Sequence, residues 1–426
     1  MEINDLKDKR ILILGFGKEG RDNFEFLRKL FPKKVLGVAD QKEFSIFIRQ
    51  PADRFSNVKW HLGENYLKAV KDYDVIIKSP GIPFKILPKT VLNKIISQTE
   101  IFFENCPGRI IGITGTKGKS TTASMIYQIL KKGGFRTHLI GNIGKPALNL
   151  LFRTGPKDVY VYELSSHQLY NLKKSPQIAV FLNIYPEHLD YYGNLKEYAA
   201  AKAKIALYQT KNDYLVFNSE DKLVRKIAKK SKAKKIPIKG KYYELDKAAA
   251  RAVGEIFGIP QKIIEKAIRE FKPLPHRLEL IGEFRGITFY NDALSTIPET
   301  AILAMEALGK RVQTIFLGGF DRKINFKKLA EFIVKQKNIK NIILFPTTGE
   351  KIWKAIRLAS LARGKKLPKH FFANNMPEAV KIAYQNTQKG KICLLSCAST
   401  SFSIFRDYKE KGGLFKKYVK EFAKKL

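Results

Sequence analysis

The 426-residue sequence predicts an α/β fold of three successive domains. Three observations carry this. Short apolar runs such as ILILGFG, RIIGIT and NIILFP alternate with amphipathic helical segments, the pattern of parallel sheets covered by helices. That pattern restarts twice, after NCPG at 105–108 and after KPLP at 272–275, so the expected domains are 1–105, 106–272 and 273–426. Two of the strand-to-helix turns are also rich in glycine, at 15–20 and at 112–122.

In the first domain KRILILGFG is a strand, NFEFLRKLF a helix, KVLGVAD a second strand, and YDVIIKSPGIP a strand running into a Pro/Gly loop. The second domain opens with strand RIIGIT and helix TTASMIYQILKK. Strands DVYVYEL and QIAVFLNI, helix AAAKAKIALYQ and strand DYLVFN follow, then helices ELDKAAARAVGEIFG and QKIIEKAIREF. The run AKKSKAKK at 228–235 reads as a solvated helix end. In the third domain LELIGEFRGITFYND predicts two strands joined by a turn, followed by helix PETAILAMEALG. Strands VQTIFLGG and NIILFP, helix EAVKIAYQNT and strand KICLLS lead to a loop and an exposed terminal helix ending KKYVKEFAKKL.

Composition narrows the classes. A hydrophobic share of 44% supports real cores and excludes wholesale disorder. No run approaches the roughly 18–20 apolar residues of a membrane span. The N-terminal stretch lacks a cleavage-site pattern, and Cys106, Cys393 and Cys397 lack zinc spacing, so reduced thiols in a cytoplasmic protein are expected. Lys+Arg outnumber Asp+Glu 79 to 39, a net charge of +40. The lysines are spread over nearly every helix, without an aromatic RNA-binding signature or a basic arm, so they read as solvated faces and no nucleic-acid partner is expected.

GITGTKGKSTT at 112–122 has the materials of a phosphate cradle between a strand and a helix. Gly115 and Gly118 bracket Thr116 and Lys117, Lys119 would reach terminal phosphates, and Ser120 or Thr121 a magnesium ion. Ile113 stands where the strict motif has glycine, so this is a variant. GFGKEG at 15–20, with Asp40 at the end of the next strand, fits a nucleotide-diphosphate turn but says little about which nucleotide. Glu163 ends strand DVYVYEL, and His188 follows QIAVFLNI; in a parallel sheet such positions line the ligand crevice. A single histidine or strand-end acid is more often structural, but both follow the phosphate-loop unit, where magnesium needs oxygen ligands. Lys202 alone reads as a solvated helix lysine.

GTKGKST, GNIG at 141–144, YELSSHQL, NIYPEHLDYY with AAAKAKI, LPHRLE and GGFDRKINF together resemble the Mur ligases of peptidoglycan synthesis, which are related to folylpolyglutamate synthase. The resemblance covers essentially the whole chain and rests on the order and spacing of six motifs. It implies Rossmann-like first and third domains around a phosphate-loop ATPase-like centre. The short first domain, KSPGIP at 78–83 and STSFSIFRDYKEKGGLF are most similar to the branch that joins D-glutamate to UDP-N-acetylmuramoyl-L-alanine with ATP and magnesium, two ions being expected. A monomer without membrane insertion is implied.

By the resemblance, Lys119 holds ATP phosphates and Glu163 and His188 hold magnesium with Ser120, while Lys202 matches a lysine that family members carbamylate. Asn142 and Ser165 meet the muramoyl substrate, and Gly15, Gly17, Asp40 and the Ser79-Pro80-Gly81 loop bind the UDP-sugar. His276 and Arg277 open the third domain, with Arg277 on ATP phosphates and Asp292 on the ribose. Arg322, Ser401 and Tyr408 match the D-glutamate contacts. The departures are Lys117 where asparagine is usual, His167 where an aromatic is common, Tyr242 to Asp246 in the adenine-contacting stretch, and Leu294 where a lysine is usual. A related ligase acting with another amino acid, a nucleic-acid-stimulated phosphate-loop ATPase and a non-catalytic UDP-sugar-binding homologue remain the alternatives.

Overall fold

A computed structural model describes residues 1–43 and 57–425. The chain divides into two compact units, Met1–Phe271 and Lys272–Leu426. The first unit holds two parallel sheets. Strands β1 (Ile11–Leu14), β2 (Leu36–Asp40), β3 (Val58–Leu62), β4 (Val75–Lys78) and β5 (Ile95–Ile96) form the first, in the order β3-β2-β1-β4-β5. All of its pairings are parallel. β1 and β4 are buried along their length, which is why their sequences are unbroken apolar runs. β3, an edge strand with the mixed sequence VKWHL, and the two-residue β5 escape such a reading.

The second sheet comprises β6 (Arg109–Thr114), β7 (Thr137–Gly141), β8 (Val159–Glu163), β9 (Ile178–Phe181), β10 (Tyr214–Asn218) and β11 (Lys234–Ile238). Its order is β11-β10-β9-β6-β8-β7, again all parallel. β11 corrects one expectation: the last two lysines of AKKSKAKK begin an edge strand, while the helix Lys222–Ala228 has already ended. Exposed lysines on an edge strand blunt its unpaired backbone, so solvation and strand structure coexist here. One core serves both sheets, with Phe102 edge-on to Tyr160 and Tyr162 at centroid distances of 5.2 and 5.6 Å.

In the second unit β12 (Glu279–Phe284) and β13 (Ile287–Asn291) form the expected antiparallel pair. They join β14 (Val312–Gly318), β15 (Asn341–Phe345), β16 (Lys369–Phe372) and β17 (Ile392–Leu395) in the order β12-β13-β17-β14-β15-β16, otherwise parallel. β16 and the helices Lys327–Lys335 and Gly349–Leu361 were not anticipated. The terminal helix Tyr408–Lys425 is not simply exposed. Phe415, Val419 and Phe422 recur at helical spacing and pack into the core, and Tyr384 donates to the Val419 carbonyl at 2.7 Å. Among the described residues no helix is long and apolar enough to cross a membrane.

Candidate active site

In the middle sheet β6 lies between β8 and β9, so the strand order reverses at β6. A crevice opens at such a point beyond the strand C-termini, where neighbouring loops diverge to opposite faces. The 115–118 loop occupies it and feeds the helix Lys119–Lys132. Gly118 is the N-cap at φ +87°, and a Cβ there would sit 2.4 Å from Asp246 Oδ1. That carboxylate accepts from the Thr122 hydroxyl at 2.8 Å and so braces the first helical turn from below. The helix N-terminus presents positive potential to an anion. Lys119 Nζ folds back onto the carbonyls of Gly115 and Thr116, each at 3.0 Å. The Thr116 hydroxyl lies 3.1 Å from the Tyr198 hydroxyl and accepts from Tyr185 N–H at 2.9 Å.

Glu163 and Lys202 come to the same loop from neighbouring elements. Glu163 ends β8 beside Ile113 of β6, is buried, and its Oε2 has no hydrogen-bond partner. A buried, partnerless carboxylate oxygen is what a divalent cation would satisfy. Lys202, expected from its helix alone to be solvated, is instead 1% exposed and donates to the Gly115 carbonyl at 2.8 Å. The alanine-rich helix Leu195–Leu207 lets it approach closely. Burial and then the Lys119 charge drive the Lys202 ammonium well below the usual lysine range, against the opposing pull of Glu187 and Glu163. His188 is the N-cap of Leu189–Tyr192 at φ +57°, with its ring 4.9 Å edge-on from His167. Among the described residues no group of three or more His, Cys, Asp or Glu gathers to hold a metal; magnesium commonly uses one or two carboxylates with substrate phosphates.

Two site residues escaped sequence reading. Asn183 opens the quoted NIYPEH and clamps the backbone of Lys117 from both sides. Glu187, next to His188, pairs with Lys117 at 2.8 Å. Burial pushes the Glu187 carboxyl up, but Lys117, His188 and Lys119 together outweigh it and bring it down to about 2.

The GFGKEG turn stands at the corresponding reversal of the first sheet, where β1 lies between β2 and β4. Gly15 has φ +91°, its N–H donates to the Ala39 carbonyl, and its carbonyl accepts from the Ser79 hydroxyl at 2.9 Å. Asp40 accepts from the N–H of Phe16 at 2.6 Å and of Lys42 at 2.8 Å, so its carboxylate buttresses the turn in this structure. Gly17 caps the helix Lys18–Leu30, and open space surrounds both Gly17 and Gly81. Asn142 donates its N–H to the Glu163 carbonyl at 3.3 Å, beside the metal candidate. The Ser165 hydroxyl accepts from Gln168 N–H in a capping box, and Gln168 Nε2 donates to Glu19 at 2.7 Å.

In the second unit Asp292 is buried; it accepts from Leu278 N–H at 3.1 Å and from the Ser396 hydroxyl at 2.9 Å. It therefore holds the 276–278 turn, in which His276 and Leu278 both have positive φ. Arg277 belongs to that turn, donating its N–H to the Leu274 carbonyl at 3.2 Å. The loops after β14 and β17 are joined by Phe320 N–H to the Thr400 carbonyl at 2.8 Å. Arg322 lies 6.0 Å from the Phe402 ring centre, and the neighbouring Ser401 hydroxyl is buried without a partner. Tyr408 starts the terminal helix with its ring 5.8 Å from that of His276.

Comparison with known proteins adds to this geometry. Residues 113–285 match the Mur ligase middle domain. The chain is 31% identical over 458 residues to the UDP-N-acetylmuramoylalanine–D-glutamate ligase of Acetivibrio thermocellus, covering 97% of each chain. It is 30% identical over 450 residues to the ligase of the same name from Clostridium tetani, again 97% of each. Among solved structures, MurF ligase from Thermotoga maritima in complex with ADP superposes with a TM-score of 0.59 at 17% identity, covering 99% of this chain and 98% of that one. MurF from Acinetobacter baumannii gives 0.61 at 12%, covering 96% and 93%. At such identities the two structures speak to the fold alone.

Proposed function

The chain belongs to the Mur ligase family, and from that premise we propose that it uses ATP to join D-glutamate to UDP-N-acetylmuramoyl-L-alanine in peptidoglycan synthesis. The observation that carries the chemistry is the gathering of Lys119, Lys202 and the partnerless Glu163 oxygen around one helix N-terminus. A carboxylate resists amine attack because resonance and negative charge stabilise it. Transfer of the terminal phosphoryl group of ATP to a carboxylate oxygen gives an acyl phosphate and ADP. The neutral amine of D-glutamate then attacks the carbonyl carbon, its proton departs, and the tetrahedral intermediate expels phosphate to leave an amide.

In this reading Gly115, Thr116, Gly118, Lys119 and Thr121 set the triphosphate on the helix N-terminus, where fixed donors need no reorganisation as charge develops. Magnesium, when bound, would neutralise crowded phosphate oxygens; Glu163, Ser120 and His188 are the residues proposed to hold it. The uncharged amine that burial favours at Lys202 can add to carbon dioxide, forming an N–C bond and releasing a proton. The resulting carbamate turns a cation into an oxygen ligand. Gly15, Gly17, Asp40, Ser79, Gly81, Asn142 and Ser165 are proposed for the UDP-sugar, and Arg322, Ser401 and Tyr408 for the amino acid. A reaction on ATP and a UDP-linked sugar belongs in the cytoplasm.

Purified protein with ATP, Mg²⁺ and UDP-N-acetylmuramoyl-L-alanine should release phosphate and form an amide, detected by mass, only when D-glutamate is added. Equal turnover with other amino acids would refute the specificity. ATP hydrolysis that rises instead with RNA or DNA would support the nucleic-acid reading.

A further inference from the structure

The phosphate loop departs from a purely backbone cradle. The N–H of Thr116 donates to the Asn183 carbonyl at 2.9 Å, and that of Lys117 to the Asn183 side-chain oxygen at 2.8 Å. Asn183 Nδ2 donates back to the Lys117 carbonyl at 3.1 Å. Two amides of the kind that phosphate loops aim at anionic oxygens are therefore committed to the chain that follows β9. Position 117 offers a side chain instead. Its ammonium lies 2.8 Å from Glu187 Oε1, with only 19% of the lysine and 15% of the glutamate side chain exposed. Glu187 Oε2 lies 4.0 Å from His188 Nε2, so one carboxylate faces both groups.

We propose that Lys117 and Glu187 are a positioning pair of the nucleotide site, in which Glu187 holds the Lys117 ammonium at the loop as a second cation for the polyphosphate beside Lys119. The inference rests on the ATP reading above. Lys119 is held ready by two carbonyls of its own loop; Glu187 does the same for Lys117. A lysine ordered before the ligand arrives has already lost its rotamer freedom, and that loss is then absent from binding. The same carboxylate offsets repulsion between Lys117 and Lys119, both of which act on it. Lysine at 117 and glutamate at 187 are thus a matched pair rather than two separate surface charges.

The test compares K117M, E187Q, the double variant and E187D. ADP binding is read by calorimetry without acceptor substrate, and KM for ATP and for D-glutamate is read beside kcat. K117M and E187Q should each weaken ADP and raise the KM for ATP about tenfold, with kcat falling less than KM rises and the D-glutamate KM unmoved. The double variant should be no weaker than the weaker single one, and E187D, which keeps the charge, should return ADP affinity to within about threefold of the parent. Unchanged ADP affinity in E187Q, or single effects that multiply in the double variant, would overturn the pairing. A parent protein that binds ADP yet makes no amide would instead sink the ligase reading, leaving the ADP measurements to decide the pair.

Discussion

Replacing Lys202 by methionine should separate chemistry from stability. The side chain is enclosed, and at neutral pH its charge opposes burial. The unfolded chain keeps that proton to about pH 10.5, whereas the folded chain gives it up lower. Between those limits the unfolded state binds the extra proton, so stability should climb as pH rises towards 10.5, by at most about 1.4 kcal/mol per pH unit. Methionine has similar volume and removes the penalty, which for a buried ion is on the order of several kcal/mol. What it forfeits is two hydrogen bonds, to the Gly115 carbonyl at 2.8 Å and the Thr114 hydroxyl at 3.4 Å, about 2 kcal/mol together. The Gly115 carbonyl is not orphaned, because Lys119 still donates to it at 3.0 Å. The net should be a gain of about 1–2 kcal/mol, or roughly 2–4 °C in Tm for a unit of this size. D-Glutamate-dependent phosphate release should meanwhile fall at least about 100-fold, as when a group that organises transition-state charge is lost. Urea unfolding between pH 6 and 9 and a phosphate-release assay would measure both. A K202M protein less stable by more than about 2 kcal/mol, with activity lost in proportion to the folded fraction, would mean that Lys202 is a packing residue and the argument fails.

Gly118→Ala should lower Tm and abolish ADP binding. It combines a strained positive φ with a Cβ 2.4 Å from Asp246 Oδ1, on the order of 2–3 kcal/mol in all, and an unchanged melting curve would contradict it. Burial raises Glu19 to about 7 despite its Gln168 hydrogen bond. Its contribution should be full below pH 4.5 and lost as pH rises through about 7, by at most about 3 kcal/mol, so Glu19→Gln should flatten urea-derived stability over that range and exceed the parent at pH 8. Val419→Asp puts a carboxylate into the fully buried contact of the terminal helix and should destabilise the second unit by about 3–4 kcal/mol; a Tm within 2 °C of the parent would refute the docked reading.

Apart from β12, an edge strand that its turn into β13 announces, the strands that sequence reading recovers and those it misses differ in one physical respect. β1, β4, β6, β9, β15 and β17 lie inside their sheets, are covered on both faces and are nearly continuous Ile, Leu and Val. β3, β5, β7, β11 and β16 lie at sheet edges; four of them are half exposed and mix Lys, His or Thr with their apolar residues, and β5 is only two residues long. An edge strand needs only one partner, and its solvent side can be polar, so no apolar run marks it. The site divides in the same way. Glycines and a lysine between strand and helix announce a phosphate loop because local backbone geometry demands them. Asn183, Glu187 and Asp246 act on that loop across 66, 70 and 124 residues of chain, and no local pattern says where such side chains will point.

The motif YELSSHQL shows how a segment can be specified by architecture as much as by ligand contact. Glu163 carries the partnerless oxygen, but two residues on, Ser165 spends its hydroxyl capping the helix Ser166–Leu169. Gln168, three residues further, spends its amide on Glu19 of the helix that starts at the GFGKEG turn. Lys18 of that same first turn donates to the Gly144 carbonyl at 3.0 Å, reaching the GNIG loop. Two bonds therefore tie the first sheet's glycine turn to the two motifs flanking Glu163. Both sit at the helix terminus where a sugar nucleotide's diphosphate is proposed to lie. A substrate gripped at that turn must present a carboxylate some distance away, beside the phosphate loop, and its placement is only as good as the rigidity between the two turns. Serine, glutamine and the two glycines of GNIG are then required for holding a fixed span, since a Cβ at Gly141 or Gly144 would lie 2.3 Å from a backbone oxygen.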